Sequence, residues 1–423
     1  MLTRSSARAF LRNRVTTNND KLPGDVLLEI FDAYRQLHEY RPDYEKHWNS
    51  RDGWFKLAHV CRNWRHIVLL SSSRLQVHLL FTPRRSPTDP VLRSLPPFPI
   101  FVDYRTGSWT KKEERLALAA IKHRSRVRGI IVQRPCFARL LKALGHPFPK
   151  LESLEIRFPY SHPESILSTT FLSGSAPSLR RLTLRGVVPE CLSPLLSSAT
   201  GLVELTLTLS INYGALPEAS LIANLQRVSC LRRLELKVIN ERAAPNLNTI
   251  PDPPPPPACA GALSKLTDLI LVGQGPYLQV LVGSLAAPSL QHLDVRITAP
   301  PGHISFVPHL CKFIRDAECQ FIAVRLNFSS WTFGFFAETC PKSGHARPFR
   351  IIIPRPVSLE EIGIMLSGPL STVEELVVDW QPSRFTQQIE IDHIQWRGLF
   401  NHIRWARSPP WISSPPWNKS RCL

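Results

Sequence analysis

The chain lacks a stretch of apolar residues that could cross a membrane, since none of its runs approaches the length of about 18 residues that a spanning helix needs. It also lacks the apolar core of a secretory signal near its N-terminus. Acidic residues are scarce, with 33 Asp and Glu against 52 Lys and Arg, a formal net charge of +19. These features predict a soluble protein with no membrane partner, and the 43% hydrophobic content of its 423 residues predicts that most of it is folded.

Paired cysteines are also lacking. The nine cysteines are odd in number and none forms a CxxC pair, which favours buried thiols in a reducing compartment over a disulfide framework. The intervals between His303, His309, Cys311 and Cys319 do not match a compact zinc site. We therefore expect no metal.

Sequence motifs that usually accompany catalysis are absent. The sequence has no GxGxxG, GxxxxGK[ST], HExxH or GxSxG. An enzyme should show a nucleophile with a base, a set of metal ligands or glycines that cradle a phosphate. We therefore predict a protein without an active site of its own and without a cofactor.

The excess of basic residues raises the alternative of nucleic-acid binding, because clustered Lys and Arg neutralise phosphates. Much of the excess lies in the N-terminal tail and in the basic stretch at 111–128. No zinc-finger spacing, recognition-helix motif or RNP-like strand accompanies it. The first fourteen residues, with four Arg and no acid, also resemble a mitochondrial transit peptide, the alternative being a disordered basic tail.

Two amphipathic segments stand near the N-terminus, LPGDVLLEIFDAY at 22–34 and WFKLAHVCRNWRHIV at 54–68. Pro23 suits a first helical turn, and Asp25 places negative charge at the positive end of a helix. Apolar residues recur at the spacing of a helical face in both segments. The pattern predicts two helices that pack together, either as a small hairpin with its own core or as a surface for a partner.

Leu22-Pro23 and the element Val60-Cys61-Arg62-Asn63-Trp64-Arg65 give these segments a resemblance to F-box proteins, in particular to a large fungal family in which an ending like Ser71–Leu75 recurs. The resemblance covers roughly 60 residues, with a longer loop at 35–53 than the shortest F-box pattern. It implies binding to a Skp-type adaptor and through it to a cullin. The adaptor-binding residues it implies are Leu22, Pro23, Val26, Leu27, Ile30, Phe31, Val60, Cys61 and Trp64.

From residue 127 the sequence repeats a short motif, called the repeated word below, in which the first, fourth and sixth residues are apolar. Examples are LESLEI at 151, LRRLTL at 179, LVELTL at 202 and LRRLEL at 231, with starts mostly 23 to 29 residues apart. This interval is typical of leucine-rich repeats, although the usual asparagine after the word is missing. The predicted fold class is therefore an N-terminal all-α F-box followed by an α/β leucine-rich-repeat-like solenoid, the alternative being the parallel sheet of an ordinary α/β enzyme.

Strand alternation places the fourth and sixth residues of each word inward and the third, fifth and seventh outward. The outward positions carry as many acids as bases. A face with such mixed charge is either a solvated surface or a client-binding surface. We take as client-binding candidates Arg157, Arg181, Arg185, Arg233, Glu235, Lys237, His292 and Arg296.

The sequence therefore predicts a substrate-recognition subunit of a Skp-cullin-F-box ubiquitin ligase, located in the cytoplasm, the nucleus or both. A non-catalytic leucine-rich-repeat scaffold is the alternative, in which Leu22, Pro23 and Trp64 are buried against the chain itself. The predicted divisions are a basic disordered tail at 1–20, the F-box at 21–82, a basic linker at 83–126, the repeat domain at 127–400 and a Pro- and Trp-rich tail at 401–423.

Overall fold

The chain divides into two units, Met1–Ile130 and Ile131–Leu423. A computed structural model describes residues 22–39, 53–75, 77–82, 96–105, 110–133, 138–158, 171–186, 192–210, 218–239, 261–273, 275–298, 310, 312–314, 321–328, 332–339, 348–354 and 375–380. The predicted tails at 1–20 and 401–423 lie outside these residues.

The first unit begins with three helices that contact one another. They are α1 (Gly24–Glu39), α2 (Gly53–Val60) and α3 (Arg62–Leu70). The α1 helix starts directly after Pro23, whose carbonyl accepts a hydrogen bond from the Leu27 N–H at 3.1 Å. The α3 helix starts after Cys61, whose Sγ accepts from the Trp64 N–H at 3.4 Å and so caps the helix.

Two short strands and a fourth helix complete the described part of the first unit. They are β1 (Leu79–Phe81), β2 (Ile100–Tyr104) and α4 (Lys111–Ile121), and β3 (Val127–Gln133) contains the division between the units. The β1 and β2 strands pair in parallel. Strand β2 and helix α4 lie within the stretch predicted as a basic linker, and apolar side chains of both are buried.

Helix α4 begins with a reciprocal pair of hydrogen bonds. The Glu113 N–H donates to Thr110 Oγ1 at 3.2 Å, and the Thr110 N–H donates to Glu113 Oε2 at 2.6 Å. This capping box satisfies two N–H groups that a helix start leaves without partners.

Removing the capping hydroxyl should destabilise α4. We expect Thr110→Ala to lower the free energy of unfolding by about 1 kcal/mol in urea denaturation, since an alanine cannot accept the bond from Glu113. Thr110→Ser keeps the hydroxyl and should retain most of the stability. An equal loss in both variants would show that the threonine methyl, and not the cap, carries the effect.

The second unit is organised around one sheet. Its strands are β4 (Ser153–Arg157), β5 (Arg181–Arg185), β6 (Glu204–Ser210), β7 (Arg233–Ile239), β8 (Gly261–Ala262), β9 (Asp268–Gly273), β10 (Leu285–Ala286), β11 (His292–Ile297), β12 (Phe321–Phe328), β13 (Thr332–Thr339), β14 (Pro348–Pro354) and β15 (Glu375–Trp380). The order along the sheet is β4-β5-β6-β7-β9-β11-β14-β13-β12-β15, while β8 and β10 pair separately. The helices and turn between strands are α5 (Ala138–Ala143), a 3₁₀ turn (Phe171–Gly174), α6 (Leu192–Ser198), α7 (Glu218–Arg227) and α8 (Gly275–Ser284).

The repeated words coincide with strands. In each of the words at 151, 179, 202 and 231 the strand begins two residues after the first apolar position. The fourth and sixth residues, such as Leu182 and Leu184, are almost completely buried. The core of the second unit therefore lies on the inward face of its sheet.

The predicted fold class, an N-terminal all-α F-box followed by an α/β leucine-rich-repeat-like solenoid, is wrong. The stretch at 21–82 contains strand β1, so it is not all-α. The second unit is an α/β arrangement with a mostly parallel sheet whose order departs from the chain order after β11. A solenoid places each strand beside the next one in sequence.

The departure has a local cause. Strand β13, with the sequence TFGFFAET, does not contain the repeated word, and it lies antiparallel between β12 and β14. Antiparallel neighbours can be joined by a short turn, whereas parallel strands need a longer crossover. The chain therefore forms a hairpin from β12 and β13 where the word pattern predicted further parallel units.

Candidate functional site

The residues implied as adaptor-binding differ widely in exposure. Val26 and Ile30 on α1 are 40% and 42% exposed, and Val60 at the end of α2 is 52% exposed. We call these three side chains the exposed apolar set. Large apolar side chains that remain in solvent are common singly, but several on packed helices mark candidate partner surfaces.

Most of the other residues implied as adaptor-binding are buried or half-buried beneath the exposed apolar set. Leu27 and Phe31 are fully buried, and the Phe31 ring meets Trp64 edge to face with centroids 4.8 Å apart. Leu22 and Cys61 are half-buried, while Pro23 is exposed. Helix α1 thus buries one stripe in the unit and leaves the neighbouring stripe in solvent.

Ion pairs hold α1 against the segment after α3. Arg74 Nη2 donates to Glu29 Oε1 at 2.5 Å, and Arg74 Nε donates to Asp32 Oδ2 at 2.8 Å. These bonds, first the one to Asp32, raise the pKa of Arg74 above its usual value. Since Glu29 neighbours Ile30 in sequence, this contact helps to fix the orientation of the helix that carries the exposed apolar set.

In the second unit, the outward residues of six parallel strands align in three rows because the strands are in register. The first row is Ser153, Arg181, Glu204, Arg233, Asp268 and His292; the middle row is Glu155, Thr183, Thr206, Glu235, Ile270 and Asp294; the last row is Arg157, Arg185, Thr208, Lys237, Val272 and Arg296. All eight client-binding candidates therefore lie on one face of the sheet. Residues at every second position of a strand share a face, which is what brings them together.

Most bases of the last row are paired with an acid of the middle row two residues earlier on the same strand. Arg296 donates two hydrogen bonds to Asp294, Nε to Oδ1 at 3.0 Å and Nη2 to Oδ2 at 2.7 Å, and the bond to Asp294 raises the pKa of Arg296. Lys237 Nζ lies 2.6 Å from Glu235 Oε1. These carboxylates neutralise the charge of the basic side chains beside them.

The pair on β4 has the same charges with a different geometry. Arg157 Nε and Glu155 Oε1 lie 2.5 Å apart but not in hydrogen-bonding geometry. On β7, Arg233 Nη2 is 3.9 Å from the second oxygen of Glu235, so this carboxylate lies between two cations. Arg157 therefore has a carboxylate of its own beside it, whereas Arg233 shares one with Lys237.

Arg185 on β5 differs from the other bases of the last row. The residue two positions before it is Thr183, so its strand offers no carboxylate, and Arg185 has no ion pair with any residue that the structure describes. Its Nε is shielded from solvent and lacks a hydrogen-bond partner. Its register neighbour Thr208 is 1% exposed, and the Thr208 hydroxyl also lacks a partner.

The first row contributes a weaker contact. His292 Nδ1 lies 3.9 Å from Asp268 Oδ1, and both residues are half-buried. Asp268 also accepts from the Thr267 hydroxyl at 2.6 Å. Arg181, in contrast, is exposed at the start of β5.

Sequence reasoning selected charged residues and so missed Thr208. The pattern LRRLTLR shows that Arg185 follows a threonine rather than an acid, but only the register of β5 with β6 places Thr208 beside Arg185. The threonine at position 183 leaves Arg185 without an acid on its own strand.

Other features of the sequence lie outside the part of the chain that the structure describes. These are His303, His309, Cys311 and Cys319, and residues 251–260 of the proline-rich segment PDPPPPPACAG at 251–261. Within the described ranges, no three His, Cys, Asp or Glu side chains are placed to hold a metal ion. No helix in the described part of the chain has the length and apolar character needed to cross a membrane.

In comparisons with known proteins, neither a family model nor a curated protein matches the chain.

Proposed function

We propose that the chain is a non-catalytic substrate-recognition subunit of a Skp-cullin-F-box ubiquitin ligase. The N-terminal helices bind a Skp-type adaptor, which links the chain to a cullin, and the charged face of the second unit binds a protein client. The observation that carries the proposal is the exposed apolar set on the helices whose sequence resembles an F-box. Such a subunit works in the cytoplasm or the nucleus.

Burial energetics support adaptor binding. Complete burial of a Val or Ile side chain is worth about 1.5–3 kcal/mol relative to full exposure. Val26, Ile30 and Val60 are each about half exposed, so covering them would contribute a few kcal/mol to a complex. A helix that lays an apolar stripe into a partner's groove is a common mode of recognition.

The same residues distinguish the proposal from the scaffold alternative. In a scaffold, Leu22, Pro23 and Trp64 would be buried against the chain itself. Pro23 is exposed, and Leu22 and Trp64 are only half-buried. This exposure supports an adaptor-binding surface over an internal cap.

Co-expression with a Skp-type adaptor tests the proposal. The wild-type chain should co-purify with the adaptor, and the double variant Val26→Glu/Ile30→Glu should reduce capture by at least about tenfold, because burying an unpaired carboxylate in an apolar interface is costly. Both positions are exposed, so the substitutions should leave the fold intact.

A matched control adds the same charge elsewhere. Gln36→Glu/Gln226→Glu changes two exposed helical positions, one on α1 and one on α7, and should be captured like the wild type. The proposal fails if the folded wild-type chain captures no adaptor. It also fails if the two double variants lose capture to the same extent.

A further inference from the structure

The outward face of the second unit has one place where its pairing of acids with bases is interrupted. In the last row, Arg185 on β5 is followed by Thr208 on β6 and then by Lys237 on β7. In the middle row, Thr183 and Thr206 stand between the acids Glu155 on β4 and Glu235 on β7. We call the place formed by Arg185 and Thr208 the Arg185-Thr208 site.

Both groups at this site lack partners that proteins normally provide. Arg185 Nε and the Thr208 hydroxyl are shielded from solvent, and neither has a hydrogen bond within the described part of the chain. A buried donor that loses water without gaining a partner destabilises the folded state. Such groups often mark a place that a ligand completes.

The neighbouring strands indicate what would complete it. On β4, β7 and β11 the base of the last row has a carboxylate beside it, supplied by Glu155, Glu235 and Asp294. On β5 the corresponding position, residue 183, is a threonine, so this strand supplies no carboxylate. A carboxylate from outside would give Arg185 the partner that the other bases already have.

We propose that the Arg185-Thr208 site binds the carboxylate of an Asp or Glu side chain from a client segment lying across the sheet. The Arg185 guanidinium donates to one carboxylate oxygen, and the Thr208 hydroxyl donates to the same group. Adjacent strands are about 4.8 Å apart, so one carboxylate can reach both residues. That the ligand belongs to a protein client rests on the proposed function.

Access to the hydroxyl requires a side-chain movement. Thr208 is almost completely buried, whereas its register neighbours Arg185 and Lys237 are half-exposed. Half-exposed side chains change rotamer rapidly. The carboxylate therefore meets Arg185 first, and the turn of Arg185 toward the ligand opens the way to Thr208.

The charge of the site favours a carboxylate over a phosphate. Among the described residues, Arg185 is the one base of the last row without a carboxylate on its own strand, since Lys237 lies beside Glu235. A phosphate monoester carries nearly two negative charges at neutral pH, so it would leave charge unpaired close to Glu155 and Glu235. A nucleic acid would meet three acids in the middle row, Glu155, Glu235 and Asp294.

Retention of the full-length chain on immobilised peptides tests the inference. The probes are three sets of random nine-residue peptides that carry Asp, Asn or phosphoserine at the central position. The wild-type chain should be retained on the Asp set at least about tenfold more than on the Asn set, as a charge-assisted hydrogen bond contributes affinity of that order. Retention on the phosphoserine set should be lower than on the Asp set.

Variants assign the effect to the site. Arg185→Gln should abolish the preference for Asp, while Arg181→Gln removes the same charge from the same strand and face and should keep it. Thr208→Val should weaken the preference although it leaves stability unchanged or raised, because it removes a hydroxyl that has no partner. Thr208→Ser retains the hydroxyl and should behave like the wild type.

Equal retention on the Asp and Asn sets, or no retention on either, overturns the inference. A preference for phosphoserine, or an equal loss in Arg185→Gln and Arg181→Gln, overturns it as well. The peptide assay contains no adaptor and the co-purification assay needs no client. A failure of this inference is therefore distinguishable from a failure of the proposed function.

Discussion

Replacing Phe31 by alanine is expected to lower the free energy of unfolding of the first unit by about 3–5 kcal/mol, the usual cost of removing a large buried aromatic side chain. Phe31 has no exposed surface and packs edge to face on Trp64, so its loss leaves a cavity between α1 and α3 and removes an aromatic contact. Urea denaturation should show the loss. Hydrogen exchange should show faster exchange of the α1 amides.

The matched control is the residue before it. Ile30→Ala shortens an apolar side chain on the same helix, but Ile30 is 42% exposed and should cost less than about 1 kcal/mol. The two substitutions should therefore separate stability from recognition. If the proposed adaptor binding holds, we expect Phe31→Ala to lower adaptor capture by unfolding the helix, and Ile30→Ala to lower capture with the helix intact. Similar stabilities of the two variants would contradict the assignment of Phe31 to the core.

The sequence predicted the inward-facing residues of strands β4 to β7 correctly. Words such as LRRLTL combine short strand length with alternation, and both follow from local side-chain chemistry. Leu182 and Leu184 are buried as this alternation requires, and the candidates Arg181 and Arg185 share the opposite face. The face of the sheet on which a side chain lies thus depends on local sequence, so a single sequence can predict it.

Pairing between strands is not local, and there the prediction failed. The repeats FIAVRL at 321 and VEELVV at 373 look like those that form β4 to β7. Strand β12, formed by the first of them, nevertheless pairs antiparallel with β13 and parallel with β15. Strands β1 and β2 contain no such word and were not predicted. The short runs that form them are equally compatible with a loop, and burial against the rest of the first unit decides the matter.

The candidate sites divide in the same way. Exposure of Val26, Ile30 and Val60 depends on which stripe of each helix the unit buries, and the helical periodicity does not distinguish the two stripes. The Arg185-Thr208 site depends on register, because Thr208 adjoins Arg185 only through the pairing of β5 with β6. Sequence therefore nominated the surfaces, while the partners of individual side chains required the structure.

Replacing Gly186 by alanine is expected to damage both the stability of the second unit and the Arg185-Thr208 site. Gly186 follows β5 with φ of +69°, a conformation that costs other residues about 1–2 kcal/mol. A Cβ there would lie 2.9 Å from the backbone oxygen of Phe158. Relieving this overlap should cost a further ~1–3 kcal/mol. The clash involves backbone, so a rotamer change cannot remove it.

The position of Gly186 couples this loss to the site. Its N–H donates to the Thr208 carbonyl at 2.9 Å, and the Phe158 N–H donates to the Arg185 carbonyl at 2.8 Å. A shift at Gly186 therefore moves the backbone that holds Arg185 beside Thr208. We expect Gly186→Ala to lower the urea midpoint and to reduce the preference for Asp-containing peptides in the same variant.

Gly201→Ala is the control, because nothing lies within 4 Å of a Cβ at that turn and its φ is not in the left-handed region. It should keep both stability and peptide preference near the wild-type values. If Gly186→Ala loses stability but keeps the full preference for Asp, the carboxylate site does not depend on the register of β5 with β6. If both glycine variants are equally stable, the backbone contact at Phe158 is relieved at little cost, and the end of β5 is more adaptable than its hydrogen bonds indicate.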